Sequence, residues 1–396
     1  MWYVKFQKRC RWLALSGLIL ICIFFYFLLM DSIPDKIRIV AGREETFDLK
    51  VPVTGQVQPS QVQVFTNQSP AVSGEIHQGT IDAAQTVINM NDRFTLKSSK
   101  EGEFLISCKL FGIFDLKDVS VEVVSSRTVI PCGTPVGIYV KTEGVLAIGT
   151  SPITGIDGMS YEPALHIIQS GDYIKTVDNQ VIHDKEELVE RVNASGGETL
   201  VLGVQRGEEL IQLKVTPVQT ERDQYRLGIW VRDDLAGVGT MTYYTPQMEY
   251  GALGHPVSDV DTSTMIRLEE GQLYETRIVG ITKGEKGSPG ELAGVIDYQP
   301  SFRLGTVQGN SQTGIYGRLD RIPSGLENAE VVEVGMKQEL ETGPAQIISS
   351  VSGERRRYDI EIQELDFHSG NENKGIQFRV TDPKLLELTG GIVQGM

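Results

Sequence analysis

Residues 170–218, "SGDYIKTVDNQVIHDKEELVERVNASGGETLVLGVQRGEELIQLKVTPV", decide how the middle of this chain folds. They read as strand, turn, strand, helix, strand, turn, strand. Gly171-Asp172 opens a tight turn, and Asp178-Asn179 is a hairpin-type pair. Asp184 is placed to cap the helix, with Glu187 at the capping-box position three residues later. Leu188 and Val192 then recur at i, i+4 and give the helix one apolar face. "TLVLGVQRGEELIQLKV" predicts a β-hairpin around Arg206-Gly207.

Working outward, residues 125–218 form one candidate domain. Their element order resembles that of PDZ domains of the circularly permuted bacterial type. The resemblance implies binding of peptide ends or loops, added as a strand to an exposed edge. That edge is expected near "PVGIYVKTEGVLAIG" (135–149), with Gly137 and Ile138 close to the carboxylate pocket. His166 and His183 read as ordinary loop and strand residues.

The chain has 396 residues, 40% hydrophobic and 22% charged, which is a globular composition with room for two or three domains. Its 42 glycines separate many short Val/Ile/Thr-rich runs, so the fold class is mainly β. The net charge is -15, and the four basic residues Lys5, Lys8, Arg9 and Arg11 crowd the first thirty positions. The rest is more acidic still, which argues against nucleic acid as a partner.

Trp12–Met30, "WLALSGLILICIFFYFLLM", carries no charge and is long enough to cross a bilayer core as a helix. Phe24, Phe25, Tyr26 and Phe27 stand where a secretory signal would have small cleavage-site residues, so residues 1–30 read as a cytoplasmic tail and an uncleaved transmembrane anchor. The basic flank before it and Asp31 after it place the body outside the cytoplasm.

Residues 35–124 alternate apolar and polar in "RFTL" and "EFLISCKLFGIF" and predict a small β-rich domain. His77 reads as a surface residue. Cys10 and Cys22 belong to the anchor region. Cys108 and Cys132 could pair, but Cys108 follows Phe104 and Ile106 on an apolar face, as a buried free thiol does. No cysteine or histidine spacing points to a metal, and no cofactor is expected. From 225 onward short strands recur to the end, the pattern of a sandwich or barrel.

Two motifs carry chemistry. "GALGHPVSDVD" sets His255 between Gly254 and Pro256, with small neighbours and a stiffened turn. "TDPKLLELTGGIVQGM" starts a short helix at Asp382-Pro383 and runs into Gly390-Gly391. By residue chemistry alone His255 has a structural alternative, and Asp382 has one as an N-cap. Together, "GHPVSDVDT" and "TDPKLLELTGGIVQGM" resemble the stage IV sporulation protein B peptidase family of endospore-forming bacteria.

That resemblance implies an anchor, a β domain, a PDZ domain and, over 225–396, a chymotrypsin-like β-barrel serine peptidase domain. It implies His255 as general base, Asp382 as the acid orienting it, and the Gly395 N–H as an oxyanion donor. In the family the methionine matching Met396 is followed at once by Ser-Gly-Ser-Pro. The resemblance therefore places the nucleophile just past Met396, with none in the chain. It implies a truncated, incomplete peptidase domain that cannot carry out covalent acyl transfer as it stands. It further implies self-cleavage, cutting of a membrane-protease regulatory complex that releases a late sigma factor, and a forespore inner-membrane location facing the intermembrane space. The PDZ domain would take a peptide or a segment of the chain itself.

Other readings stay open at this level. Gly287-Ser288-Pro289-Gly290 has the look of a serine elbow but sits in a lysine-flanked turn. Asp259 and Asp261 follow His255 closely and could replace Asp382 as the orienting acid, bind a cation or, the reading their residue type favours, cap turns. The alternative function is a non-catalytic PDZ binding protein with a peptidase relic. A generic exported β-protein is a third reading.

Overall fold

The structure, a computed structural model, describes residues 16–17, 20, 23–57, 62–66, 86–366 and 375–396. Most of the expected anchor before Ile23, together with Cys10, Cys22 and His77, lies outside the described residues. Among the described residues no helix is long and apolar enough to cross a membrane; residues 23–32 are helical. Strands dominate the rest.

The chain divides into two compact units, Met1–Arg127 with Glu333–Leu340, and Thr128–Val332 with Glu341–Met396. The first unit has a five-stranded sheet in the order Lys36–Val40, Phe114–Val124, Gly102–Leu110, Val53–Val57, Thr86–Asn89. A three-stranded sheet of Glu44–Phe47, Phe94–Ser98 and Val62–Thr66 accompanies it. Period-2 alternation drives Phe104, Ile106 and Cys108 of one strand, and Phe94 and Leu96 of another, into a common core. Cys108 is a buried free thiol, and burial pushes it up to about 11.

The second unit is organised by one strand of 23 residues, Thr128–Thr150. Its first part pairs with Ile229–Tyr244 on one side and Leu268–Thr282 on the other. Ile229–Tyr244 continues to Glu249–Ala252, then Gly314–Leu319, Arg303–Ser311 and back to Leu268–Thr282. Six antiparallel strands thus close into a barrel-like ring. Every one of them sends side chains into one core, among them Val136, Ile138, Met241, Tyr250, Leu273, Leu304 and Ile315. Cys132 is buried there as a free thiol, its acidity suppressed by burial to about 12.

At Gly144 the long strand leaves the ring. Gly144 has φ 86, and a Cβ there would lie 2.6 Å from the Ile174 carbonyl oxygen, so only glycine fits. Beyond it, Val145–Thr150 pairs with Tyr173–Val177 and with the start of Ile229–Tyr244. Leu200–Arg206 and Glu209–Val215 complete this sheet, and helix Lys185–Ala194 packs on it through Leu188 and Val192. The module is therefore an excursion between two neighbouring staves of the ring.

The local expectations for this stretch hold. Asp184 caps Glu187 N at 2.8 Å, and Glu187 returns to accept from His183 N. Asp178 and Asn179 both take left-handed φ in the hairpin turn. The second hairpin turns at Gly207-Glu208, one residue later than expected, with Arg206 paired to Glu209. The reason is that Arg206 is still a strand residue, held by a two-pronged ion pair to buried Asp172.

The last part of the unit is a three-stranded sheet, Gly343–Ser349, Arg356–Leu365 and Ile376–Val380, followed by helix Pro383–Thr389. Its core of Val351, Tyr358, Leu385 and Val393 also takes Leu292 from the strand Glu291–Ile296.

Candidate active site

Strand Glu249–Ala252 ends where Leu253 adopts φ 66 and turns the chain outward. Leu253 N donates to Thr240 O at 2.9 Å, and Leu253 O accepts from Thr242 Oγ1. The exposed His255 follows two residues later. Its Nδ1 lies 3.0 Å from Pro256 O. A carbonyl only accepts, so this bond requires the proton on Nδ1 and leaves Nε2 as the basic atom in the neutral ring. That is the tautomer a general base needs.

The loop after His255 is held from two sides. Asn310 accepts from Val257 N and donates to Val257 O and Ile266 O. Asp259 is buried; its Oδ1 accepts from Asp261 N and Thr262 N, and its Oδ2 pairs with Arg232. Asp261 pairs with the same guanidinium at 3.0 Å. Asp259 is thus a turn cap and an ion-pair partner, and Asp261 an ion-pair partner of the same arginine. Among the described residues no group of three or more His, Cys, Asp or Glu gathers to hold a metal.

Asp382 caps helix Pro383–Thr389, Oδ1 accepting from Lys384 N at 2.9 Å and Leu385 N at 3.1 Å. No hydrogen bond joins it to His255 in this structure. The far end of the helix is closed by Gly390 at φ 73, packed against Gly284 O. The chain then returns alongside Glu291–Ile296, with Gln394 N donating to Gly290 O and Leu292 N to Gln394 O.

Gly395 has φ 87, and its carbonyl accepts from Thr240 Oγ1 at 2.7 Å. Its N–H has no hydrogen-bond partner among the described residues. Thr240 therefore holds both candidate regions. Its backbone carbonyl binds the turn into His255 and its hydroxyl binds the segment after helix Pro383–Thr389. Leu253, two residues before His255, and Gly395 are both bonded to one stave of the ring; Asp382 is tied to the strand Arg356–Leu365 through Asp359 O. Ser288 is exposed in a tight turn closed by Glu285 and makes no bond to His255.

Gly137 and Ile138 are placed differently from the expectation. Gly137 pairs with Val238 on one side and Tyr274 on the other, and Ile138 with Gly237 and Leu273. They lie in the interior of the sheet, where no strand edge is vacant, and the Ile138 side chain fills the ring core. Glu209–Val215, at the far end of the sheet, is an edge that carries no strand on its outer side among the described residues; Ile229–Arg232, which neighbours helix Lys185–Ala194, is another. It is introduced by Leu227-Gly228, with Gly228 at φ 66. The glycine turn before an apolar strand was the available signal for it. Lys185 closes one end, its N and Nζ both donating to Asp233. His166 stands in a loop, and His183 pairs with Glu269 at 3.1 Å.

Residues 223–396 match the family described as SpoIVB peptidase S55. No curated protein matches the chain. One similar solved structure is the PDZ domain of the SdrC-like protein from Listeria monocytogenes. It is 18% identical, with 22% of this chain and 87% of that chain covered and a TM-score of 0.19.

Proposed function

This chain belongs, through residues 223–396, to the SpoIVB peptidase family of serine peptidases, and on that premise we propose that it is a membrane-anchored serine endopeptidase whose general base is His255. The observation that carries the proposal is the pair of hydrogen bonds that Thr240 makes, its carbonyl accepting from Leu253 N and its hydroxyl donating to Gly395 O, which hold the turn into His255 and Gly395 beside one stave. The closed ring followed by a second sheet supports the chymotrypsin-like, double-barrel reading.

In the proposed reaction the serine that the family places directly after Met396 is the nucleophile. His255 Nε2 takes its hydroxyl proton as Oγ bonds to the scissile carbonyl carbon. The unpartnered Gly395 N–H receives the developing oxyanion. Protonated His255 then gives the proton to the leaving amine, and the C–N bond breaks. Asp382 steadies the imidazolium through Oδ2, the oxygen its capping role leaves unused; this requires the Nδ1 proton to turn from Pro256 O to Asp382.

The substrates proposed by resemblance are the chain itself and a regulator of a membrane protease, at the membrane facing the space around a forming spore. The module at 145–232 docks an extended segment as an added strand on Ile229–Arg232. The test is self-processing of the native protein with His255 replaced by Ala or Asn. Loss of processing in both variants is expected, with folding retained. Processing at the native rate would remove His255 from the mechanism.

A further inference from the structure

Strands Gly102–Leu110 and Phe114–Val124 are joined by Phe111-Gly112-Ile113. Phe111 has φ 54 and Gly112 φ 73. A left-handed turn position ordinarily takes Gly, Asn or Asp, and a bulky residue there is an outlier. The side chains are also exposed, Phe111 by 71%, Ile113 by 74% and Phe114 by 64%. Three large apolar groups within four positions cost solubility as well as turn stability, the combination that marks an interaction site.

The neighbouring chain says what the tip meets. Three residues into the second strand, Lys117 Nζ donates to Met30 O at 3.1 Å, to Ile33 O and to Asp35 Oδ1 at 2.7 Å. The ammonium thus closes the C-terminal end of the helical residues 23–32, and Leu116 and Leu29 share the core beneath. Lys36–Val40 pairs in parallel with Ser120–Val124. Two parallel strands start from the same end, so the helix before Lys36 and the hairpin tip before Ser120 extend in the same direction. The helix presents exposed Phe24, Phe25 and Phe27 there. Behind the tip sits the Lys109–Asp115 ion pair, polar at the depth where headgroups would lie.

We propose that Phe111–Phe114 is a second membrane contact, inserted into the headgroup–acyl boundary of the bilayer beside the apolar segment 12–30. Phe114 lies about 10 Å from Lys117 along the strand, the upper end of the depth reached by interfacial apolar groups. Phe is among the apolar side chains that interfacial segments bury in this layer. The inference rests on reading 12–30 as a membrane anchor.

The test uses the full chain with Cys10 and Cys22 changed to Ser, reconstituted with phosphatidylcholine/phosphatidylglycerol vesicles. An environment-sensitive fluorophore is attached at Phe111→Cys, at Ile113→Cys, and at Glu101→Cys on the opposite end of the hairpin. The expected result is a blue shift at 111 and 113, quenched by acyl-chain nitroxide lipids, with 101 unchanged. Protein that floats with the vesicles while 111 and 113 keep their aqueous emission would overturn the inference and leave the anchor intact. A shift that follows protein concentration without lipid would assign the tip to self-association and also overturn it. Failure to float at all would overturn the anchor reading, and the inference with it.

Discussion

The hydroxyl of Thr240 donates to the carbonyl oxygen of Gly395 at 2.7 Å, while the Thr240 carbonyl accepts from Leu253 N at 2.9 Å. A single residue in the middle of a ring stave therefore spaces the histidine turn from the segment that carries Gly395. Thr240→Val removes the first bond and keeps the second. It should cost about 1 kcal/mol. Amide exchange should quicken at residues 393–396 and stay slow at 250–253; equal quickening at both would show that Thr240 does not act selectively on the segment that carries Gly395.

Asp382 offers a way to separate cap from catalyst. Asp382→Ala should lose about 1 kcal/mol as a missing N-cap. Asp382→Asn keeps an oxygen acceptor for Lys384 N and Leu385 N and should melt near the parent. If Asp382 also steadies His255, the Asn variant loses turnover at unchanged stability. Denaturant titration and turnover measured on both variants decide it.

Arg232 joins the open edge of the module to the loop behind His255 through Asp259. Removing the guanidinium leaves a buried carboxylate unpaired, which costs on the order of 3 kcal/mol. Arg232→Ala should therefore be more damaging than Asp259→Asn, and Arg232→Lys should recover part of the loss. Equal melting temperatures for all three would show the pair to be idle.

Acid should loosen the module at the Lys185 end of its helix. Burial opposes ionisation of Asp233, but the side chain and N–H of Lys185 outweigh it and hold the carboxyl below its usual 3.8. The stabilisation is present above the ordinary carboxylate range and disappears as pH falls through the depressed value. Asp233→Asn should flatten that acid limb, read as melting temperature between neutral pH and pH ~3. An unchanged limb would place the acid sensitivity elsewhere.

Both described thiols should behave as core atoms. Burial raises Cys108 to about 11 and Cys132 to about 12, so neither is a nucleophile near neutrality. In the Cys10→Ser, Cys22→Ser background, an aromatic disulfide reagent should react only as the protein unfolds. Rapid native-state labelling would mean that one of the two cores opens.

The sequence was most legible where the physics is local. Asp184, Glu187, Leu188 and Val192 act within one helix, and Asp382-Pro383 within another, so spacing alone predicts their roles. Ring closure has no local signature, because the stave at 128–142 meets partners roughly a hundred residues away in sequence. For the same reason Gly137-Ile138 read as an edge when it is interior. Gly137 is glycine because Ile296 and Thr276 side-chain atoms come within 2.6 Å of where its Cβ would be. A glycine inside a strand pattern signals close approach as readily as a binding turn. The apolar tip at Phe111–Phe114 passed as part of an alternating strand, since exposure is set by what surrounds a hairpin rather than by its own pattern.

The most direct test of the central claim is to treat the native protein with a serine-reactive phosphonate and map the adduct by mass spectrometry. The account predicts one adduct, on the residue that follows Gly395-Met396, lost when His255 is replaced by Ala. An adduct that survives His255→Ala, or one on Ser288, would contradict it.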